Sequence, residues 1–168
     1  IAIENKDLNL VKLFLEKRPK MELKELTPPR YHSPIEYAVS KNSHEILKFL
    51  LQQPGHNNPL FEPKHLNFSL LETAIMGYTL GSTNLKTIEI LLDSNPQINL
   101  VEKRAPGKNS IIKFAIARRA HDVLRLILKK FPQIDPKKSS DPEDRSIYEY
   151  SKEHSDPETL RILDQSSH

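Results

Sequence analysis

Between Lys103 and Lys130 the chain carries nine basic residues: Lys103, Arg104, Lys108, Lys113, Arg118, Arg119, Arg125, Lys129 and Lys130. A single acid, Asp122, stands among them. Such a concentration attracts phosphate, anionic lipid or an acidic protein surface, although a solvated basic face accounts for the same run. Nucleic-acid recognition asks for one continuous stripe with interleaved aromatics. Only Phe114 and Phe131 accompany this run, so nucleic acid is not an expected partner. The seven histidines include no pair at metal-ligand spacing, and His44-Glu45 lacks the second His of a zinc-peptidase helix. Gly77 and Gly81 lack the Lys and Ser that would complete a phosphate loop. Asn67-Phe68-Ser69 has the form of a glycosylation acceptor, which matters only in a secreted chain. With no Cys, thiolate chemistry, disulfides and Cys-ligated zinc drop out. The residues therefore predict no catalytic site, no metal and no cofactor.

The elements that carry these residues recur. Ser33 to Leu51 contains two short helical patterns joined by a polar break, and the pattern returns from Ser69, from Ser110 and, more weakly, from Ser146. Its second half also opens the chain, at Leu8 to Leu15. Ala2, Ala38, Ala74, Ala115 and Ser151 keep step at spacings of 36, 36, 41 and 36 residues, and Pro19, Pro54, Pro96 and Pro132 follow the first four second halves. A fixed period of this kind is the signature of stacked repeats. In the second repeat, Ser33, Pro34 and Glu36 spell an N-cap, a first-position proline and a capping box. Glu72 and Glu149 stand at the same offset, whereas the fourth repeat has Lys113 there. Apolar side chains fall on one face at helical spacing in each second half: Leu10, Val11, Phe14 and Leu15; Ile46, Leu47, Leu50 and Leu51; Ile88, Leu91 and Leu92; Val123, Leu124, Ile127 and Leu128. The five-residue excess of the third repeat falls at Gly77 to Ser82, as a loop or an extra helical turn.

The unit resembles an ankyrin repeat, whose signature is T-P-L-H-x-A followed by a second helix ending in a leucine run. Ser33-Pro34-Ile35-Glu36-Tyr37-Ala38 carries the resemblance best. Ser69 to Ala74 and Ser110 to Ala115 follow more loosely, and Ser146 to Ser151 is a degenerate last copy. The family's His is absent, and Glu36, Glu72 and Glu149 close the first turn in its place. The usual Gly after the first helix is replaced by Asn42, Thr83, Arg119 or Ser155. The resemblance implies an all-α, ankyrin-like helix-pair solenoid with long hairpin fingers, forming a single domain over residues 1–168. Its repeats cover about 1–32, 33–68, 69–109, 110–145 and 146–168, the first truncated and the last a polar capping repeat.

The same resemblance implies a protein–protein interaction module, not an enzyme, whose partner is another protein docking on the concave finger and inner-helix face. The variable positions of the family fall here on Tyr31, His32, Ser40, Lys41, Asn67, Phe68, Met76, Gly77, Tyr78, Lys108, Asn109, Ala117 and Arg118. Lys103, Arg104, Lys108 and Arg118 form a possible anion-binding group on that side, with Arg125, Lys129 and Lys130 on the outer helix. A monomer is expected. No run of eighteen apolar residues predicts a membrane span. The chain opens on Ile1, with Ala2 in the register of mid-helix. A piece of a longer protein is therefore expected, and the lack of Cys and of a signal-peptide pattern fits an intracellular, cytoplasmic one. The divergent copies are similar in style to ankyrin segments of bacterial effectors acting in a host cytosol. Two alternatives stay open: a substrate-recruiting or regulatory segment of an enzyme whose catalytic domain lies outside this chain, and a binder of phosphorylated or anionic surfaces.

Overall fold

The computed structural model describes residues 2–17, 33–53, 69–102, 109–139, 145–154 and 156–166. Among them are nine helices and no strand. The helices are α1 (Leu8–Lys17), α2 (Pro34–Ser40), α3 (His44–Leu51), α4 (Leu70–Thr79), α5 (Leu85–Asp93), α6 (Ile111–Ala117), α7 (His121–Lys130), α8 (Ile147–Glu153) and α9 (Pro157–Gln165). The all-helical expectation holds.

The starts of α2, α4, α6 and α8 follow from one chemical device. Ser33, Ser69, Ser110 and Ser146 are the N-caps of α2, α4, α6 and α8, each hydroxyl accepting the backbone N–H three residues on. At three of them the capping box is complete. The backbone N–H groups of Ser33, Ser69 and Ser146 donate to Glu36, Glu72 and Glu149 at 2.7, 2.8 and 2.9 Å. Two orphan amides per helix are satisfied in this way. Helices of seven residues are too short to persist unaided in water, so the box and the packing must act together.

Helix ends are equally regular. After α2, α4 and α6 the chain enters the left-handed region at Asn42 (φ 50), Gly81 (φ 76) and Arg119 (φ 52). The following amides reach back to the helix: Ser43 to Ala38 O at 3.0 Å, Ser82 to Gly77 O at 2.8 Å, Ala120 to Ala115 O at 3.0 Å. This is the Schellman arrangement. Residues 2–7 repeat it, with Lys6 at φ 55 and Asp7 N bonded to Ala2 O at 3.0 Å. One sequence assignment is corrected here. In the third repeat the left-handed residue is Gly81, not Thr83. α4 runs three residues longer than α2, α6 and α8, so the turn comes directly after the extended helix. Ser82 and Thr83 then bridge to the next cap, Asn84. The insertion is thus mostly an extra helical turn.

The chain divides into two compact units, Ile1–Pro96 and Gln97–His168. In the first, α2 packs on α3 and α4 on α5, while α2 also packs on α4, and α3 on α1 and α5. Its core is Ile46, Leu47, Leu50, Leu71, Ile75, Ile88, Leu91 and Leu92, with Ala38 and Ala74 fully buried at the helix contacts. Each such Leu or Ile contributes about 1.5–3 kcal/mol by leaving water. Leu51, at the end of its stripe, is only half-buried. α1 departs further from the pattern: Val11 is buried, but Leu10 and Phe14 are 39% and 49% exposed. The corresponding positions in α3 and α5, Ile46 and Leu50, and Thr87 and Leu91, are covered by a first helix of their own pair. In the second unit α6 packs on α7 and α8, and α9 on α7 and α8, around Ile111, Ile112, Val123, Leu124, Ile127 and Leu163.

Polar ties join successive pairs. In the first unit the Asn42 amide donates to Ser82 O at 3.0 Å, and its carbonyl accepts from Asn84 N and Thr87 Oγ1, each at 2.9 Å. His44 Nε2 lies 3.0 Å from Asn84 Oδ1. The second unit has a charged counterpart: His121 Nε2 meets Asp156 Oδ2 at 2.6 Å, and Thr159 Oγ1 donates to the same oxygen at 2.7 Å. His44 and His121, at equivalent positions in their helix pairs, thus each bond the N-cap of the next second helix.

Asp156 gives this tie a pH dependence. Burial pushes its carboxyl up, but hydrogen bonds from His121 and Thr159, the His121 charge and a backbone bond at Glu158 together outweigh it. The group titrates below the ordinary Asp value. A depressed folded value means that its stabilisation is complete above about pH 3.9, the unperturbed value, and is lost as pH falls through the folded one. Asp156→Asn should therefore lower stability at pH 7 by about 1–3 kcal/mol and make the acid limb less steep. Urea melts from pH 2 to 7 check this. Parallel curves for both proteins would show that the tie carries no energy.

Candidate functional site

Among the described residues, the candidate contact positions Ser40, Lys41, Met76, Gly77 and Tyr78 lie in the first unit. Ser40 ends α2 and Lys41 caps it, while Met76 and Tyr78 lie in the last turns of α4. Because Asn42 binds Ser82 O and Asn84 N, the C-terminal ends of these two packed helices are drawn together. Ser40 is exposed, with its hydroxyl donating to Tyr37 O at 2.9 Å. Lys41 Nζ lies 5.5 Å from the Tyr37 ring centre and 4.0 Å from the Glu4 carboxylate. Met76 and Tyr78 are half-exposed.

Gly77 is held as glycine by the packing of its own turn. A Cβ there would collide with Thr83 Oγ1 and come within 3.1 Å of Ser82 Oγ and Thr83 Cβ. Its missing side chain lets the insertion fold back on the helix, with Ser82 N and Thr83 N on Gly77 O at 2.8 and 3.1 Å. The same turn lifts Leu80 to 76% exposure. Sequence reading passed over Leu80. Its signal was its place inside the one insertion, beside two glycines.

The second unit holds Asn109 and Arg118. Asn109 Nδ2 donates to the Tyr150 hydroxyl at 2.9 Å, joining the residue before the α6 cap to α8. Arg118 is exposed, its guanidinium carbon 5.2 Å from the Phe114 ring centre. Arg119, also exposed, follows at once. Tyr31, His32, Asn67, Phe68, Lys103, Arg104 and Lys108 lie outside the described residues.

The described part of the basic run does not act as one patch. Lys113 is 3% exposed. Its ammonium group donates to the Arg145 carbonyl and stands 5.6 Å from the Tyr150 ring centre. It is a buried link from α6 to the α8 side and is unavailable to an anion. Arg125 pairs with Asp122 at 3.2 Å and with Glu158. The acids that quench Arg125 come from its own helix and from α9, the latter invisible in a local charge count. Arg118 is the one sequence-predicted anion ligand among the described residues. Arg119, which sequence reading placed at a turn, joins it.

Among the described residues no group of three His, Asp or Glu side chains is arranged to hold a metal ion, and no helix is long and apolar enough to cross a membrane. No protein-family model matches the chain, and no curated protein does.

Proposed function

We propose that the chain is a protein-binding module, built as an ankyrin-like helix-pair solenoid, which engages a partner protein through the ends of its first helices. The repeated motif supports the architecture: serine cap, buried small residue, Schellman end and a second helix stacked on its neighbour. The observation that carries the function is in the first unit. Half-exposed Met76 and Tyr78 sit at the end of an extended α4, beside Ser40 and Lys41. An ordered aromatic side chain with a polar tip is the kind of residue in which binding energy concentrates.

The test is capture from a eukaryotic lysate, identification by mass spectrometry, and titration of the purified partner. Tyr78→Ala should weaken binding at least tenfold, about 1.4 kcal/mol, while lowering the melting temperature by no more than a few degrees. A variant that melts early yet binds as before would make Tyr78 a packing residue and remove this face from the reading.

A further inference from the structure

We infer that Arg118 and Arg119 form an anchor for the carboxylates of an acidic protein segment. The inference rests on the protein-binding reading and adds the chemistry of the partner in the second unit. Both side chains are exposed, and among the described residues neither has an acidic partner. Asp122, three residues past Arg119, pairs with Arg125. Arg118 lies against Phe114, 5.2 Å from the ring centre. A stacked guanidinium loses little freedom on binding and keeps its edge of N–H donors open to a planar carboxylate.

Arg119 adds a second observation. It holds φ 52, a left-handed backbone that favours Gly or Asn. A long cationic side chain kept where glycine would be more stable points to a use for the charge. The backbone changes hand between the two residues, α-helical at Arg118 (φ −90) and left-handed at Arg119. Two guanidinium groups on successive residues offer two separate donor edges, which suits two carboxylates of one segment. A lipid surface is disfavoured on a different ground. The large exposed apolar side chains among the described residues, Leu10, Leu13, Phe14 and Leu80, all belong to the first unit. Among its described residues the second offers no large exposed apolar side chain to enter a bilayer interface, which membrane-surface binding needs beside its charge.

The experiment is fluorescence anisotropy of the full chain with labelled hexaglutamate, hexaglutamine as control, and inorganic phosphate or phosphatidylserine vesicles as competitors. Hexaglutamate should bind, hexaglutamine should not, and affinity should fall steeply with added salt. Arg118→Gln and Arg119→Gly should each weaken binding about fivefold or more. Lys129→Gln, an equal loss of charge on the exposed face of α7, should change it less than twofold. Arg119→Gly should also raise the melting temperature, because glycine accepts the left-handed backbone freely. Its loss of affinity then has no structural origin. No binding of hexaglutamate, equal losses in all three variants, or displacement by phosphate or vesicles at carboxylate-equivalent concentrations would overturn the inference. The Tyr78 result in the first unit does not depend on these arginines, so either proposal can fail alone.

Discussion

Asn42→Ala should destabilise the protein by about 2–4 kcal/mol, the largest loss expected from any single side chain at a helix end. Three hydrogen bonds from the second pair to the third disappear together: those to Ser82 O, Asn84 N and Thr87 Oγ1. At about 0.5–1 kcal/mol each for partly solvated bonds, they account for most of the effect. Roughly another 1 kcal/mol comes from holding alanine at φ 50. Asn42→Gly separates the two contributions, since it loses the same bonds but carries no penalty for the left-handed backbone. Urea melts should place the variants in the order parent, Gly, Ala. If alanine costs less than about 1 kcal/mol, the ties between pairs are incidental to stability, and apolar stacking alone holds the first unit.

Lys113→Glu should destabilise the second unit although it completes a capping box. The other three first helices carry Glu at this position, and a cap contributes about 0.5–2 kcal/mol. Local reasoning therefore predicts a gain. The structure predicts a net loss of about 1–3 kcal/mol. Lys113 donates a charge-assisted hydrogen bond to the Arg145 carbonyl, about 1.5–3 kcal/mol, and lies over the Tyr150 ring, which adds up to about 2 kcal/mol when desolvated. The glutamate would turn back to Ser110, as Glu72 does to Ser69, and leave that carbonyl without its donor. Glu72 is as buried as Lys113, so desolvation largely cancels in the exchange. Thermal melts of the single variant decide the matter. A melting temperature at or above the parent's would mean that the link from α6 to Arg145 contributes less than a cap.

These two residues also mark what could be read from the chain and what could not. Ser33-Pro34-x-Glu36 places a helix start to the residue, because capping is a contest among groups only three positions apart. The buried faces of α3, α5 and α7 follow from periodicity in the same way. Leu10 and Phe14 have the same spacing and are exposed, because burial needs a second surface and spacing describes only the first. Lys113 read as part of a basic patch because sequence shows charge and not the carbonyl of Arg145 that absorbs it. Gly81, not Thr83, takes the left-handed backbone because the turn follows directly on the end of α4. Of the two forms open to the insertion, a loop or an extra helical turn, it takes mostly the second. The candidate contacts were legible as positions in a repeat, and Met76, Tyr78 and Arg118 do lie at helix ends with side chains half or fully exposed. Leu80 and Arg119 needed the turn geometry.

The four cap serines have a consequence for covalent modification. Ser33, Ser69, Ser110 and Ser146 are all buried, and each hydroxyl accepts a backbone N–H. At three of them a glutamate carboxylate lies against the same turn. A phosphoryl group, nearly doubly negative at neutral pH, would be driven into like charge and deprived of solvent. These serines are closed to kinases while the helices are formed, and a phosphate added during an excursion to the open chain would keep that helix pair from closing again. Ser40, exposed at the end of α2, bears no such cost. At α2 a forbidden and an accessible serine, Ser33 at the N-cap and Ser40 at the last residue, stand seven residues apart.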